Sequence, residues 1–403
     1  MPVLRNISQL ATCPPGNPQQ DAGLINNAAL AWDGDTILWV GSWQDLPPEY
    51  SKEPVVDCEH RLVIPGLVDC HTHLCFGGWR ADEFELRLRG ASYQEIAATG
   101  GGISSTVTAT RAASSGELQR KTNTLLDAML KLGVTTVECK SGYGLDTANE
   151  LKQLEVYRRV NESHPVDLVP TFLGAHTVPP EHRDARERYV SLLCEELIPA
   201  IANEGLARFC DAFVEEGAFT VAEARRIFTV AKMHGLKIKV HADQLSDGGG
   251  AVLAAEMDAV SAEHLEYIGS EGINALADSG TVAVSLPLAS LYLGEPFLPA
   301  RELLSAGVPV AVATDFNPGS APSFHLPLAM TLACLSQHMT PQEALTGATT
   351  VAARAISAET RIGSLLPGYK ADLAVIDMPA LNQWLYHFVP NACVKVMKNG
   401  HWV

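Results

Sequence analysis

From about residue 75 to 365, short apolar runs rich in β-branched residues alternate with stretches whose apolar positions recur every three to four residues. The first pattern is that of a strand covered on both faces, and the second that of an amphipathic helix. Strands are expected at Leu62–Val68, Val134–Cys139, Leu168–Leu173, Phe209–Val214, Ile238–Val240, Ala259–Ala262, Val282–Leu286 and Val308–Ala313. Helices are expected at Ser115–Leu132, Ala148–Ser163, Glu181–Glu204, Thr220–His234, Gly249–Glu256, Gly269–Asp278 and Ala300–Ala306. Gly133, Gly205, Gly235, Gly280 and Gly307 stand at or near the ends of helices, where a residue of positive φ commonly stops one. Eight strands alternating with helices is the count of a closed (β/α)8, TIM-like barrel.

Both ends of the chain break this rhythm. Ala28–Trp32 and Thr36–Val40 read as short strands around the turn Asp33-Gly34-Asp35, and Gly368–Asp377 and Val394–Lys398 read likewise, the latter followed by Asn399-Gly400. Asn-Gly between apolar residues is a strong hairpin signal. Neither flank is large enough for a core of its own, so the two are expected to pair as one small β-sandwich. The expected organisation is therefore residues 1–64 and 365–403 in the sandwich and 65–364 in an α/β barrel.

Composition narrows the class. A chain of 403 residues with 47% apolar and 19% charged residues is a globular protein with a large core. A formal charge of −17 argues against nucleic acid and anionic membrane as partners. The nine cysteines are scattered, with no CxxC pair, which excludes a disulfide framework and a thiolate zinc knuckle. Reduced thiols, no apolar signal core and no long apolar stretch fit a cytoplasmic protein.

Chemistry gathers at the expected strand ends, where this fold keeps its catalytic groups. Strand one ends in Cys70-His71-Thr72-His73; two histidines two apart project to one side of a strand and make half of a zinc-type site. Alone, such a pair is as compatible with a structural role. Strand two is followed by Lys140-Ser141-Gly142-Tyr143-Gly144, strand three by Gly174-Ala175-His176, strand five by His241-Ala242-Asp243-Gln244, strand six by Glu263-His264 and strand eight by Thr314-Asp315-Phe316-Asn317-Pro318-Gly319. His60, His164, His182, His234, His338, His387 and His401 lack a strand-end context and read as surface or core histidines. Asp69 and Asp243 read equally as orienting acids or as turn acids.

Taken in order, the Pro-Gly-Leu-Val-Asp-Cys-His-Thr-His run from Pro65, the strand-five and strand-six histidines, the strand-eight aspartate and the split sandwich resemble the amidohydrolase superfamily. Phe76–Arg80, Thr99–Ile103, Glu138–Gly144 and Phe172–His176 carry the resemblance further, to the branch that opens a cyclic amide bearing a carboxylate tail in histidine degradation. The match runs from about residue 60 to the C-terminus. It implies one divalent ion per chain, zinc or iron, held by His71, His73, His241 and Asp315. Three neutral imidazoles and a carboxylate suit either ion and leave room for a water. It also implies substrate contacts from Arg80, Tyr143, His176, Gln244, Asn317, Gly319 and Ser320, with Tyr93 a weaker candidate. Asp315, His264 and His176 are the implied catalytic groups, His176 as donor to a developing oxyanion.

Position 244 departs from the family pattern, where some members carry glutamate. Glutamine cannot accept a proton at neutral pH, so the proton work is expected to fall to Asp315, His264 or both. The expected partner is a small-molecule substrate, and a homodimer is an assembly the sequence leaves open. Two other readings stand beside this one: a deaminase of aromatic rings on the same fold, and a catalytically silent barrel acting as a scaffold.

Overall fold

The chain opens with β1 (Val3–Ala11), β2 (Leu24–Asp33), β3 (Thr36–Ser42) and β4 (Val55–Pro65). In the computed structural model, which describes residues 1–90, 101–387 and 389–403, these strands share a sheet with three strands from the other end of the chain. Between them come the parallel barrel strands β5 (Leu67–Asp69), β6 (Val134–Lys140), β7 (Asp167–Ala175), β8 (Phe209–Val214), β9 (Lys237–Ala242), β10 (Ser261–His264), β11 (Val282–Ser285) and β12 (Val310–Val312). The chain closes with β13 (Leu373–Ile376), β14 (Cys393–Lys398) and β15 (His401–Trp402). Among the described residues the first sheet runs β15-β14-β13-β4-β1-β2-β3 and the barrel runs in sequence order from β5 to β12. The expected α/β barrel with a small domain built from both termini is thus the architecture observed.

The run Leu62–Val68, expected as one strand, is two. Residues up to Pro65 pair with β13, Leu373 facing Pro65 and Ile376 facing Leu62, whereas Leu67–Asp69 pair with β6. Proline offers no N–H to continue the ladder. At Gly66 the backbone passes so close to Thr135 that a Cβ would sit 2.3 Å from its hydroxyl. The chain crosses between sheets at this Pro-Gly step. Because strand side chains alternate, Leu62 and Ile64 of β4 join the barrel core while Val63 joins the core of the terminal sheet with Leu4, Ile7, Trp32, Leu373 and Met397.

Other departures are local. The expected strand Ala259–Ala262 begins later, at Ser261. The expected helix Glu181–Glu204 is a 3-10 turn (Pro180–Ala185), a helix (Arg186–Leu192), a π turn (Leu193–Leu197) and a second helix (Ile198–Asn203). Pro199 lacks the amide hydrogen an unbroken ladder needs, and the wider turn lies just before it. The five helix-ending glycines all take positive φ. The helix Pro287–Leu293 and the largely buried helix Leu326–Gln337, whose apolar run hides any periodicity, were not foreseen. No helix among the described residues is long and apolar enough to cross a membrane.

Between β12 and β5 the barrel closes just past the strand ends. Asp315 N donates to His71 O (3.1 Å) and His73 N to Phe316 O (2.8 Å). Buried Asp69 accepts from both the amide and the hydroxyl of Thr314 (3.1 and 2.6 Å), and burial raises its pKa to about 7. Asp243 instead caps the helix Gly250–Glu256 through the amides of Gly250 and Ala251. Both acids are therefore structural.

Candidate metal centre and active site

Four side chains from three strand ends meet at the C-terminal mouth of the barrel. Asp315 Oδ1 lies 3.3 Å from the Nε2 atoms of both His71 and His73. The ring of His241 sits 4.6 Å from that of His71 and 5.6 Å from that of His73, centre to centre. All four residues are buried, and Nε2 of His71 and of His241 has no hydrogen-bond partner among the described residues. Buried imidazole nitrogens are rarely left unpaired. Uncapped donors of this type, converging with a carboxylate, fit a metal ion. Burial, the Lys140 ammonium and the neighbouring imidazoles hold the pKa of His71 well below the usual histidine range, so it presents a lone pair. Burial works against ionisation of Asp315, but His73 and the other imidazoles prevail and keep its pKa low.

Beneath this layer lies a set of charges of which the sequence pattern brought out Lys140 and Glu263 but not Asp211 or Lys239. Asp211, on β8, places Oδ2 3.0 Å from His241 Nδ1 and 2.9 Å from Lys140 Nζ. Lys140 also meets Glu138 Oε1 at 2.9 Å, while Lys239 meets Glu263 Oε1 at 2.9 Å. All five charges are fully buried. A carboxylate behind a ligating histidine fixes its ring and raises its basicity, and the lysines neutralise the carboxylates. Burial alone would push Asp211 up, yet His241 and Lys140 bring it far below the usual carboxylate range. The Lys140 ammonium is committed to Glu138 and Asp211. The missed signal was present: charged residues inside otherwise apolar strands are almost never buried unless paired.

The remaining candidates ring this centre. His176 packs face to face with His73 at 5.4 Å and lies 5.5 Å from the ring of Tyr143. Its Nδ1 is 3.1 Å from Gly142 O, an acceptor, so Nδ1 carries the hydrogen. Burial and the adjacent imidazoles push the His176 pKa well down. His264 closes the other side, 5.4 Å from His241 and 5.8 Å from His71. Its φ of +76° is rare for a residue with a side chain; burial opposes its protonation, but Glu266 outweighs this and raises its pKa.

Arg80 is no surface charge: its side chain is only 17% exposed, Nε meets Glu83 Oε2 at 2.8 Å, and the Nη edge turns to Gly319, where a methyl group would sit 2.0 Å from Nη1. Asn317 spends its amide on its own loop. It donates to Asp315 O and Ser320 Oγ and accepts from the amides of Gly319 and Ser320. Gln244 is half-buried just past β9. Tyr93 lies outside the described residues.

A family model, the amidohydrolase family, matches residues 62–403. The chain is 50% identical over 390 residues to an imidazolonepropionase of Symbiobacterium thermophilum, covering 96% of this chain and 92% of that one. It is 46% identical over 384 residues to an imidazolonepropionase of Geobacillus kaustophilus, covering 94% and 91%. Among solved structures, a zinc-bound adenosine deaminase from Xanthomonas campestris superposes with a TM-score of 0.74 at 18% identity, covering 100% of this chain and 92% of that one. An atrazine chlorohydrolase from Arthrobacter aurescens complexed with zinc gives 0.69 at 18%, covering 100% and 95%. At that identity the two structures speak for the fold alone. The relatives matched over almost their whole length are what decide the branch: the chain belongs to the amidohydrolase family and, within it, to the imidazolonepropionases.

Proposed function

We propose that the chain hydrolyses the lactam bond of 4-imidazolone-5-propanoate to N-formimidoyl-L-glutamate, the third step of histidine degradation. The observation that carries this reading is the convergence of His71, His73, His241 and Asp315 beside a guanidinium held against the same loop. When bound, one zinc or iron ion supplies the Lewis acidity that polarises the ring carbonyl and acidifies the attacking water.

The chain's own residues do the rest. Asp315 takes the proton of the attacking water and returns it to the departing ring nitrogen. The carbonyl carbon gains an oxygen as its bond to nitrogen breaks, and one water is consumed. His264 orients the water and shares the proton traffic, which suits an imidazole whose pKa is raised. His176, neutral and with its hydrogen on Nδ1, presents a lone pair at Nε2 and accepts from a ring N–H. This differs from the oxyanion donation expected from the chain alone. Tyr143 donates to a ring heteroatom, since burial keeps its phenol protonated. The Nη edge of Arg80 pairs with the propanoate. Asn317 acts by shaping the Asp315–Ser320 loop, while Gly319 lets Arg80 approach.

Incubation with imidazolone propanoate, following ring opening and ammonia together, tests the reaction. Stoichiometric N-formimidoyl-glutamate without ammonia is expected, whereas ammonia release would favour a deaminase. Asp315→Asn should lose activity by several orders of magnitude even in preparations that keep their metal, because an amide shuttles no proton. A metal-loaded Asp315→Asn enzyme near the wild-type rate would remove Asp315 from the proton path.

A further inference from the structure

Two residues past His264, Glu266 is buried and close to the catalytic centre, yet the reaction as derived leaves it without a task. Its Oε1 accepts from the hydroxyl of Ser290 at 2.9 Å and lies 3.6 Å from His264 Nδ1. Its Oε2 and the Nδ1 of His264 are both buried without a hydrogen-bond partner among the described residues. Leaving a buried polar group unpaired is destabilising, more so when it is charged. The unpaired Nδ1 thus stands only slightly beyond hydrogen-bond distance from a carboxylate whose other oxygen, Oε2, has no partner either. The backbone that brings them together is itself unusual: His264 and Leu265 have φ of +76° and +66°. Strain of this sort persists where the surroundings enforce it, and it clusters at working sites. Ser290 is buried as well and belongs to the helix Pro287–Leu293, so the carboxylate is anchored from a second element.

We propose that Glu266 is a positioning residue for His264: it accepts the Nδ1 hydrogen, with Ser290 holding the carboxylate, and so makes Nε2 the nitrogen that exchanges protons. This rests on the reading of His264 as a proton-handling residue. Glu266 touches neither substrate nor metal ligand in this role. It fixes the tautomer and ring orientation of the imidazole, as a partner behind a working histidine does elsewhere.

The test compares holoenzymes with Glu266→Met, which keeps the length of the side chain and removes the acceptor, and Glu266→Gln, which keeps an acceptor. Glu266→Met should lower kcat by about 10- to 100-fold, the usual cost of losing such a partner, with KM and metal content unchanged. Glu266→Gln should recover most of that loss. In ring-15N-labelled protein, the His264 signals, assigned by their disappearance in His264→Asn, should report hydrogen on Nδ1 in wild type and a mixture of tautomers in Glu266→Met. In a His264→Asn background, Glu266→Met should produce no further fall in kcat. Should Glu266→Met not fold, Ser290→Ala should shift the same signals with a smaller loss of rate. Unchanged His264 signals, or a full effect of Glu266→Met in the His264→Asn background, would overturn the proposal. If His264→Asn alone keeps full activity, the proton role of His264 fails, while the tautomer signals still decide whether Glu266 sets the ring.

Discussion

Arg80 and Gly319 make a pair in which one residue is useful because the other is small. A charge-assisted contact between the guanidinium and the propanoate contributes roughly 1.5–3 kcal/mol. At about 1.4 kcal/mol per tenfold, Arg80→Met should lower kcat/KM by about 10- to 150-fold. Gly319→Ala should move kcat/KM in the same direction with metal content intact, because its methyl overlaps Arg80 Nη1. The check is a substrate analogue whose carboxylate is replaced by a carboxamide. Wild type should strongly prefer the acid and both variants should treat the two nearly alike; a variant that keeps the full preference would place the anchor elsewhere. At this scale the sequence was legible where chemistry is coded by spacing. His71, His73, His241 and Asp315 stand at strand ends, Asp315 beside both histidines that follow β5 and the His241 ring packed against theirs. Asp211 showed only as a charge inside an apolar strand, with nothing to name its partner, and Glu266, in a turn, gave no signal at all. Only the register of β8 against β9 and the path of the chain after β10 bring them to a histidine.

Among the elements, the Pro65-Gly66 step carries the most weight, since one apolar run serves two sheets across it. A Cβ at residue 66 would sit 2.3 Å from Thr135 Oγ1 and 2.6 Å from its Cγ2, and Thr135 is buried. Overpacking of this kind costs about 1–3 kcal/mol. Gly66→Ala should therefore lower stability in urea by that amount. Thr135→Ala should recover part of it in the Gly66→Ala background while not stabilising wild type. Strictly additive effects would mean that the two residues do not meet. The alternation of strands and helices was readable because both periods are short and repeat many times. The crossing was not, because an unbroken apolar run looks the same whether it pairs with one sheet or two. The interrupted helix before β8 was hidden for a related reason: Pro199 marks a disturbance without saying what geometry will absorb it.

Across the whole molecule, the proposed ligands stand on both sides of the place where the barrel closes. His71 and His73 follow β5, and Asp315 follows β12. A ligand that binds only the folded state stabilises it by mass action, and here it would also bridge the first and last barrel strands. Removal of the ion with a chelator should abolish activity reversibly and lower the melting temperature. Amide hydrogen exchange should quicken first near β5 and β12; a uniform change over all eight strands would argue against the bridging role. Two tightly held ions per chain would overturn the mononuclear reading. The terminal sheet has a consequence of another kind, one of timing. Its central strand β4 is flanked by β1 on one side and by β13 on the other. As a nascent chain leaves the ribosome, β1 to β4 emerge early, but the partner for the second edge of β4 arrives only after the entire barrel has been made. Throughout that interval an apolar strand edge has no neighbour, the circumstance in which strands recruit unintended ones. The small domain is started before the barrel and finished after it.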